Sequence, residues 1–229
     1  MDYLTASNGA CGINQPNNSF VFSYNPAPPP IWDLIDTLNG YNVLDQTNVF
    51  LINNNNQANL LLAANDSFTS IGILRANGIG SSPPGQAHAM TDAPSNSHIS
   101  IGLGGGGVNN NLRLMCRSDN GQLVNIDGGL LVGQGWKIVC WQYDWTTFTG
   151  KLIVDGNIFT GTNVLMNNWL FTNPTSTYYV GCNYNIAPYY PWDGLIGEFV
   201  EYTGIKSNAD INQLGNYFAN KYALVWTNI

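Results

Sequence analysis

At 229 residues, with 44% hydrophobic and 12% aromatic side chains, the chain is long enough to bury the core of one large β-domain. Only 9% of its residues are Asp, Glu, Lys or Arg, against about 25% in ordinary soluble domains, and seven scattered basic residues leave a net charge of −7. That balance excludes the basic patch a nucleic acid would need and disfavours an anionic membrane surface, while no run of about 18 apolar residues is present to span a bilayer. The polar deficit is filled by 33 asparagines. A surface of neutral amides and hydroxyls suits contact with sugars or with neighbouring copies in an assembly. Codon drift in an AT-rich genome is the competing explanation, although lysine, whose codons are equally AT-rich, is scarce.

The start MDYLTASNGACGI has no basic n-region and no apolar h-region, so no secretory signal is expected. Residues 1–30 end in Asn25-Pro26-Ala27-Pro28-Pro29-Pro30, a run that favours a stiff extended segment. Two readings stand: an N-terminal arm that docks on a partner, or an edge strand leading by a rigid turn into a domain over 31–229. A helical turn is expected over Ile31–Leu38, opened by Pro30. Strands are expected around 49–52, 59–64, 69–75, 97–103, 111–116, 121–126, 136–144, 150–155, 177–182 and 195–202. Asn53–Asn56 reads as a hairpin connection, residues 77–96 as the longest loop, and Gly104–Gly107 as turn chemistry.

Alternation over 138–143 puts Val139, Trp141 and Tyr143 on one face, which suits an inter-sheet core. Ile138, Cys140 and Gln142 fall on the other. That second face is also rather apolar, so a loop, a helix or another subunit should cover it. At the C-terminal end Ser207 and Asp210 match a capping box. Ile211, Leu214, Phe218 and Tyr222 then form one helical stripe. Cys11, Cys116, Cys140 and Cys182 have no metal spacing and are expected as reduced thiols.

The loop Asn183–Asp193 gathers Tyr184, Tyr189, Tyr190, Trp192 and Asp193, and a second loop holds Asp144 and Trp145. Aromatic rings beside amides and carboxylates suit a pyranose, whose C–H face packs on a ring while its hydroxyls take hydrogen bonds. A protein contact and plain packing at the sandwich end stay open beside it. His88 and His98 are expected as surface histidines in or near the long loop, without a nucleophile motif.

The order Asp193-Gly194, Ile196-Gly197-Glu198, Tyr202, then Tyr217 and Lys221-Tyr222, resembles the C-terminal end of concanavalin A-like (laminin G-like) jelly-roll domains. Trp136-x-x-Val139-x-Trp141-x-Tyr143-Asp144, followed by Gly150-Lys151-Leu152-x-Val154-Asp155-Gly156, resembles the paired central strands of that family. The likeness spans roughly residues 98–226. It implies an all-β sandwich of two antiparallel sheets in jelly-roll order with one C-terminal α-helix.

Glucanases of that fold carry E-x-D-x-x-E, which is absent; the two glutamates, Glu198 and Glu201, point to opposite faces of a regular strand. No catalytic residue is therefore assigned, and the resemblance implies a non-enzymatic binding or structural module. Calcium enters only through the family, with Asp144 and Asp193 as loop carboxylates but no D-x-D-x-D-G series. The expected role is a virion surface protein, a phage capsid decoration or fibre. It would be made in the host cytoplasm, hold to capsid protein or sister copies, and present a surface to a cell-surface glycan or protein. A stand-alone lectin-like protein and a glycoside hydrolase are the alternatives.

Overall fold

Alternating apolar residues build two antiparallel sheets that face each other, as seen in a computed structural model. It describes residues 66–80, 85–92, 97–167, 176–181 and 190–229, with segments 2–7, 10–14, 23–25, 37–42, 44–45 and 50–53. In chain order the strands are β1 (Asp2–Ser7), β2 (Ala10–Asn14), β3 (Ser23–Asn25), β4 (Thr37–Leu38), β5 (Tyr41–Asn42), β6 (Leu44–Asp45), β7 (Phe50–Asn53) and β8 (Phe68–Ala76). There follow β9 (Gln86–Asp92), β10 (Ser97–Leu103), β11 (Asn111–Arg117), β12 (Leu123–Leu130), β13 (Lys137–Asp144), β14 (Thr149–Val154), β15 (Asn157–Thr162), β16 (Ser176–Val180) and β17 (Gly194–Thr203). Helix α1 (Asn208–Tyr222) closes the chain.

Among the described residues the first sheet runs β15-β14-β13-β8-β17-β1-β2, with β6 also on β17, and the second runs β12-β11-β10-β9-β16-β7-β3. Every pairing is antiparallel, as a jelly-roll sandwich requires. Within residues 1–30, β1 pairs with β17, β2 with β1, and β3 with β7. The proline run lies outside the described residues, as do 59–64, 54–56 and 31–36. Leu38, expected in a helical turn, instead pairs with Tyr41 in the small β4–β5 ladder.

The two faces of β13 divide as the alternation predicts. Val139, Trp141 and Tyr143 join the inter-sheet core, together with Leu112, Leu114 and Cys116 of the second sheet. Ile138 and Cys140 pack with Ile71, Ile73, Ile211, Phe218, Tyr222 and Trp226, so the covering element is α1 and the tail behind it. Ser207 caps the helix: its hydroxyl accepts from Asp210 N, and Asp210 accepts from Ser207 N. Trp226 lies on Gly215, where an added Cβ would enter the indole.

Beyond the short strands before residue 48, two strands fall where none is expected, β9 and β15. β9 falls inside the expected long loop because its small residues, Ala87 and Ala89, carry little strand signal although both are buried. β15 is mostly exposed, so it shows no apolar alternation. The capping box and helix stripe, in contrast, are found where the spacing puts them.

The last strand carries a bulge. Ile196 pairs with Leu74 and Phe199 with Gly72, so β17 uses one residue more than β8. Gly72 makes this fit, since a Cβ there would meet the Phe199 ring and the Glu198 carbonyl. Gly72→Ala and Gly215→Ala are each expected to cost about 1–3 kcal/mol as overpacking, measured by denaturant unfolding. An unchanged midpoint in either variant would mean that the contact yields freely.

Candidate functional site

The two groups of aromatic and acidic residues singled out from the sequence lie at opposite ends of the sandwich. Asp144 stands beside Ser67, where β8 begins, while Asp193 stands beside Asn77, where β8 ends. At about 3.3 Å per residue, nine-residue β8 keeps them roughly 26 Å apart. They cannot share one ligand or one cation.

Asp144 is occupied by its own loop. Thr146 N and Thr147 Oγ1 donate to it at 2.8 and 2.9 Å. Burial pushes its carboxyl up, but these hydrogen bonds outweigh that and hold it below the usual value. Trp145 packs partly buried against the core, edge-on to Tyr143 at 5.4 Å. Among the described residues no cluster of three His, Cys, Asp or Glu side chains is arranged for a metal.

The other end is built more firmly. Gln86 N donates to Tyr190 O at 2.9 Å, Trp192 N to Gly181 O at 2.8 Å and Asn77 N to Asp193 O at 2.9 Å. Gly80 and Gly85 lie against Pro191, leaving no room for a side chain. Trp192 is fully buried in the inter-sheet core, so its indole presents no face to a ligand. Tyr190 is half-buried at φ 49, a left-handed conformation uncommon for a tyrosine. Tyr184 and Tyr189 lie outside the described residues.

Tyr190 borders a polar face that the sequence reading did not single out. On β11, Leu112, Leu114 and Cys116 enter the core, so Asn111, Arg113, Met115 and Arg117 face outward. Directly opposite them on β10 stand Gly102, Ser100 and His98, and beyond on β9 stand Gln86 and Ala89. His98 Nε2 and Ser100 Oγ are 2.8 Å apart. Burial lowers the guanidinium pKa of Arg113, and nearby Tyr190 partly restores it. The signal is present as alternation in Asn111–Arg117, but which strands lie beside this row is not visible in the sequence.

Both histidines depart from the surface expectation. His88 is sealed between Trp141 and Phe199, and His98 is 5% exposed on the outer face of β10. Burial brings each down to about 3, with Arg113 and Arg117 adding to the effect at His98. His88 Nε2 lies 3.3 Å from Glu201 Oε1. An ion pair would raise the histidine, but a sealed imidazole loses more solvation than one carboxylate returns, so the contact involves a neutral ring.

The two glutamates do face opposite ways. Glu201 accepts from Ser70 Oγ at 3.1 Å beside core His88. Glu198 lies under the helix, paired with Lys221 Nζ at 2.7 Å and accepting from Tyr222 Oη at 3.1 Å and Tyr217 Oη at 3.3 Å. Burial opposes the Lys221 charge, but its hydrogen bonds to Glu198 and Tyr217 prevail and hold it above its ordinary value. On the same outer face, Val200, Tyr202, Lys206, Asp210, Gln213 and Tyr217 border a groove of about 420 Å³. Its two tyrosines were read from the sequence as fold markers only.

Solved structures share this architecture. Domain 4 of AbnA, a GH43 extracellular arabinanase from Geobacillus stearothermophilus, solved in complex with arabinotriose, matches with a TM-score of 0.52 at 18% identity, over 85% of this chain and 81% of that one. The CBM40 of the Ruminococcus gnavus IT-sialidase, bound to alpha2,3 sialyllactose, matches with a TM-score of 0.51 at 12% identity, over 69% of this chain and 86% of that one. The fold is that of the concanavalin A-like jelly rolls. No protein-family model and no curated protein matches the sequence. The concanavalin A-like sandwich accounts for the two sheets and the C-terminal helix; at these identities it carries no more than the fold.

The buried histidines make a pH prediction. Their folded pKa lies below the unfolded value of about 6.5, so the unfolded chain binds more protons between the two. Stability is therefore full above about pH 6.5 and falls with acidification towards pH 3, by up to about 1.4 kcal/mol per pH unit for each histidine. Urea unfolding between about pH 4.5 and 7.5, above the carboxylate range, should show this slope, and His98→Gln should reduce it. A flat profile would mean that the imidazoles protonate in place.

Proposed function

We propose that this chain is a non-enzymatic carbohydrate-binding module. Its ligand end is formed by Tyr190, Asp193 and Arg113, where the 190–193 loop meets the outward face of the second sheet. The observation that carries the reading is the presentation of Tyr190, in a left-handed conformation with its carbonyl accepting from Gln86 N, next to a half-buried guanidinium. An aromatic ring and a charged planar donor suit the C–H face and the oxygens of a sugar. Support also comes from the shared fold with the arabinanase domain in complex with arabinotriose and the CBM40 bound to sialyllactose.

The placement of the two glutamates supports the non-enzymatic reading. Retaining hydrolysis needs two carboxyl groups about 5–5.5 Å apart in one cleft. Glu198 is tied to Lys221 under the helix and Glu201 faces the core, so the two cannot flank one bond. At the finer level, the module serves on a virion surface, as a capsid decoration or fibre. The reading rests on the low charge, the amide-rich composition and the proline run near the N-terminus.

Purified protein on a glycan array is expected to capture a limited set of glycans, with and without EDTA. Tyr190→Ala should weaken that binding about tenfold or more, near 1.4 kcal/mol. Empty arrays, or binding indifferent to Tyr190 and Arg113, would remove the site. Immunogold labelling of particles tests the finer claim; glycan binding without particle labelling would leave a lectin with no virion role.

A further inference from the structure

The groove between β17 and α1 has the composition of a ligand site, and it lies on the face opposite to the Tyr190 end. Its floor is Val200 and Leu214; its walls are Tyr202 and Tyr217; its rim holds Lys206, Asp210 and Gln213. At about 420 Å³ it falls in the size range of small-molecule pockets. Lys206 Nζ sits 4.4 Å above the Tyr202 ring, so its cation is fixed at the rim by the aromatic face. The backbone of Lys206 is tied as well, with N donating to Thr69 Oγ1 at 3.0 Å and O accepting from Gln142 Nε2 at 3.1 Å.

Across the groove, Tyr217 Oη is held by Glu198 and Lys221, which keeps the ring upright while the residue stays exposed. Asp210 takes both Ser207 bonds on Oδ2. Its Oδ1 is engaged by no described residue, and neither is the Gln213 amide.

The charges on the rim balance, one cation against one carboxylate, beside a neutral amide and two phenol rings. An anion would meet Asp210, and a cation would meet Lys206. A neutral polyhydroxylated ring meets neither penalty: one face packs on tyrosine while hydroxyls reach the amide, the ammonium and the free carboxylate oxygen. We infer that the β17–α1 groove is a second saccharide site, selective for a neutral sugar unit. It is independent of the Tyr190 end, so the module can hold two glycans on opposite faces, and linked sites of this kind gain avidity.

The test is a titration of the full ¹⁵N-labelled chain, followed by NMR, with methyl glycosides of glucose, galactose, mannose and arabinose, alongside methyl glucuronide. Saturable shifts at Lys206, Gln213 and Tyr217 with at least one neutral glycoside, and none with the glucuronide, are expected. Gln213→Trp, which fills an exposed helix position facing the groove, should abolish those shifts while leaving thermal unfolding unchanged. Gln213→Ala should weaken binding about fivefold or more. Shifts confined to Tyr190 and Arg113 would overturn the second site and leave the first. Shifts confined to the groove would do the reverse. Groove shifts that survive Gln213→Trp, or that the glucuronide produces equally, would overturn the assignment.

Discussion

Between Ile196 and Phe199 the last long strand carries one residue more than its neighbour, and the placement of Glu198 under the helix depends on that extra residue. On a regular strand Ile196 and Glu198 would share a face. The bulge turns Glu198 outward while Phe199 returns to the core against Trp141. A buried carboxylate then stands on the outer face, and α1 supplies its partners Tyr217, Lys221 and Tyr222. Removing one partner of such a pair leaves an uncompensated charge, which costs far more than the pair contributes. The helix is thus fixed in rotation as well as in position. Gly72 is the steric condition for all of it.

The rest of the outer face follows. With Lys221 and Tyr222 over Glu198, the helix shields β8 and β13 and turns its Gln213–Tyr217 edge towards the exposed end of β17. The tail folds back, Trp226 covers Gly215, and Asn212 bonds both ends of Ile229. A sheet face apolar enough to aggregate becomes a second core, and what remains uncovered is a groove with a polar rim.

Much of this was legible in the sequence. Capping box, helix stripe and the split of Val139/Trp141/Tyr143 from Ile138/Cys140 all depend on spacing, which is visible without coordinates. β9 was not visible, because alanines that are sealed by their neighbours look the same as alanines in a loop. His88 and His98 were misplaced for the same reason. Of the residues proposed for binding, Tyr190 and Asp193 come to one rim, Trp192 goes to the core, and Asp144 with Trp145 lies at the far end. Loop membership could be read from turn residues, but which loops share an end depends on strand directions that only the sheet order supplies. The outward row of β11 was readable as alternation, yet its neighbours come from strands distant in sequence.

Sparse charge also has a structural counterpart. Few ions are available, and three of the basic residues are drawn into set positions: Lys221 on Glu198, Lys137 on Asp155 at 2.8 Å, and Lys206 on the Tyr202 ring. The two glutamates are likewise committed to packing, Glu198 under the helix and Glu201 beside His88. The most direct test incubates the full chain with a glycan that it captures and then sizes the recovered glycan. Saturable binding with the glycan returned at its original length is the outcome predicted for a non-catalytic module; shortened glycan, lost on replacement of a single carboxylate, would contradict it.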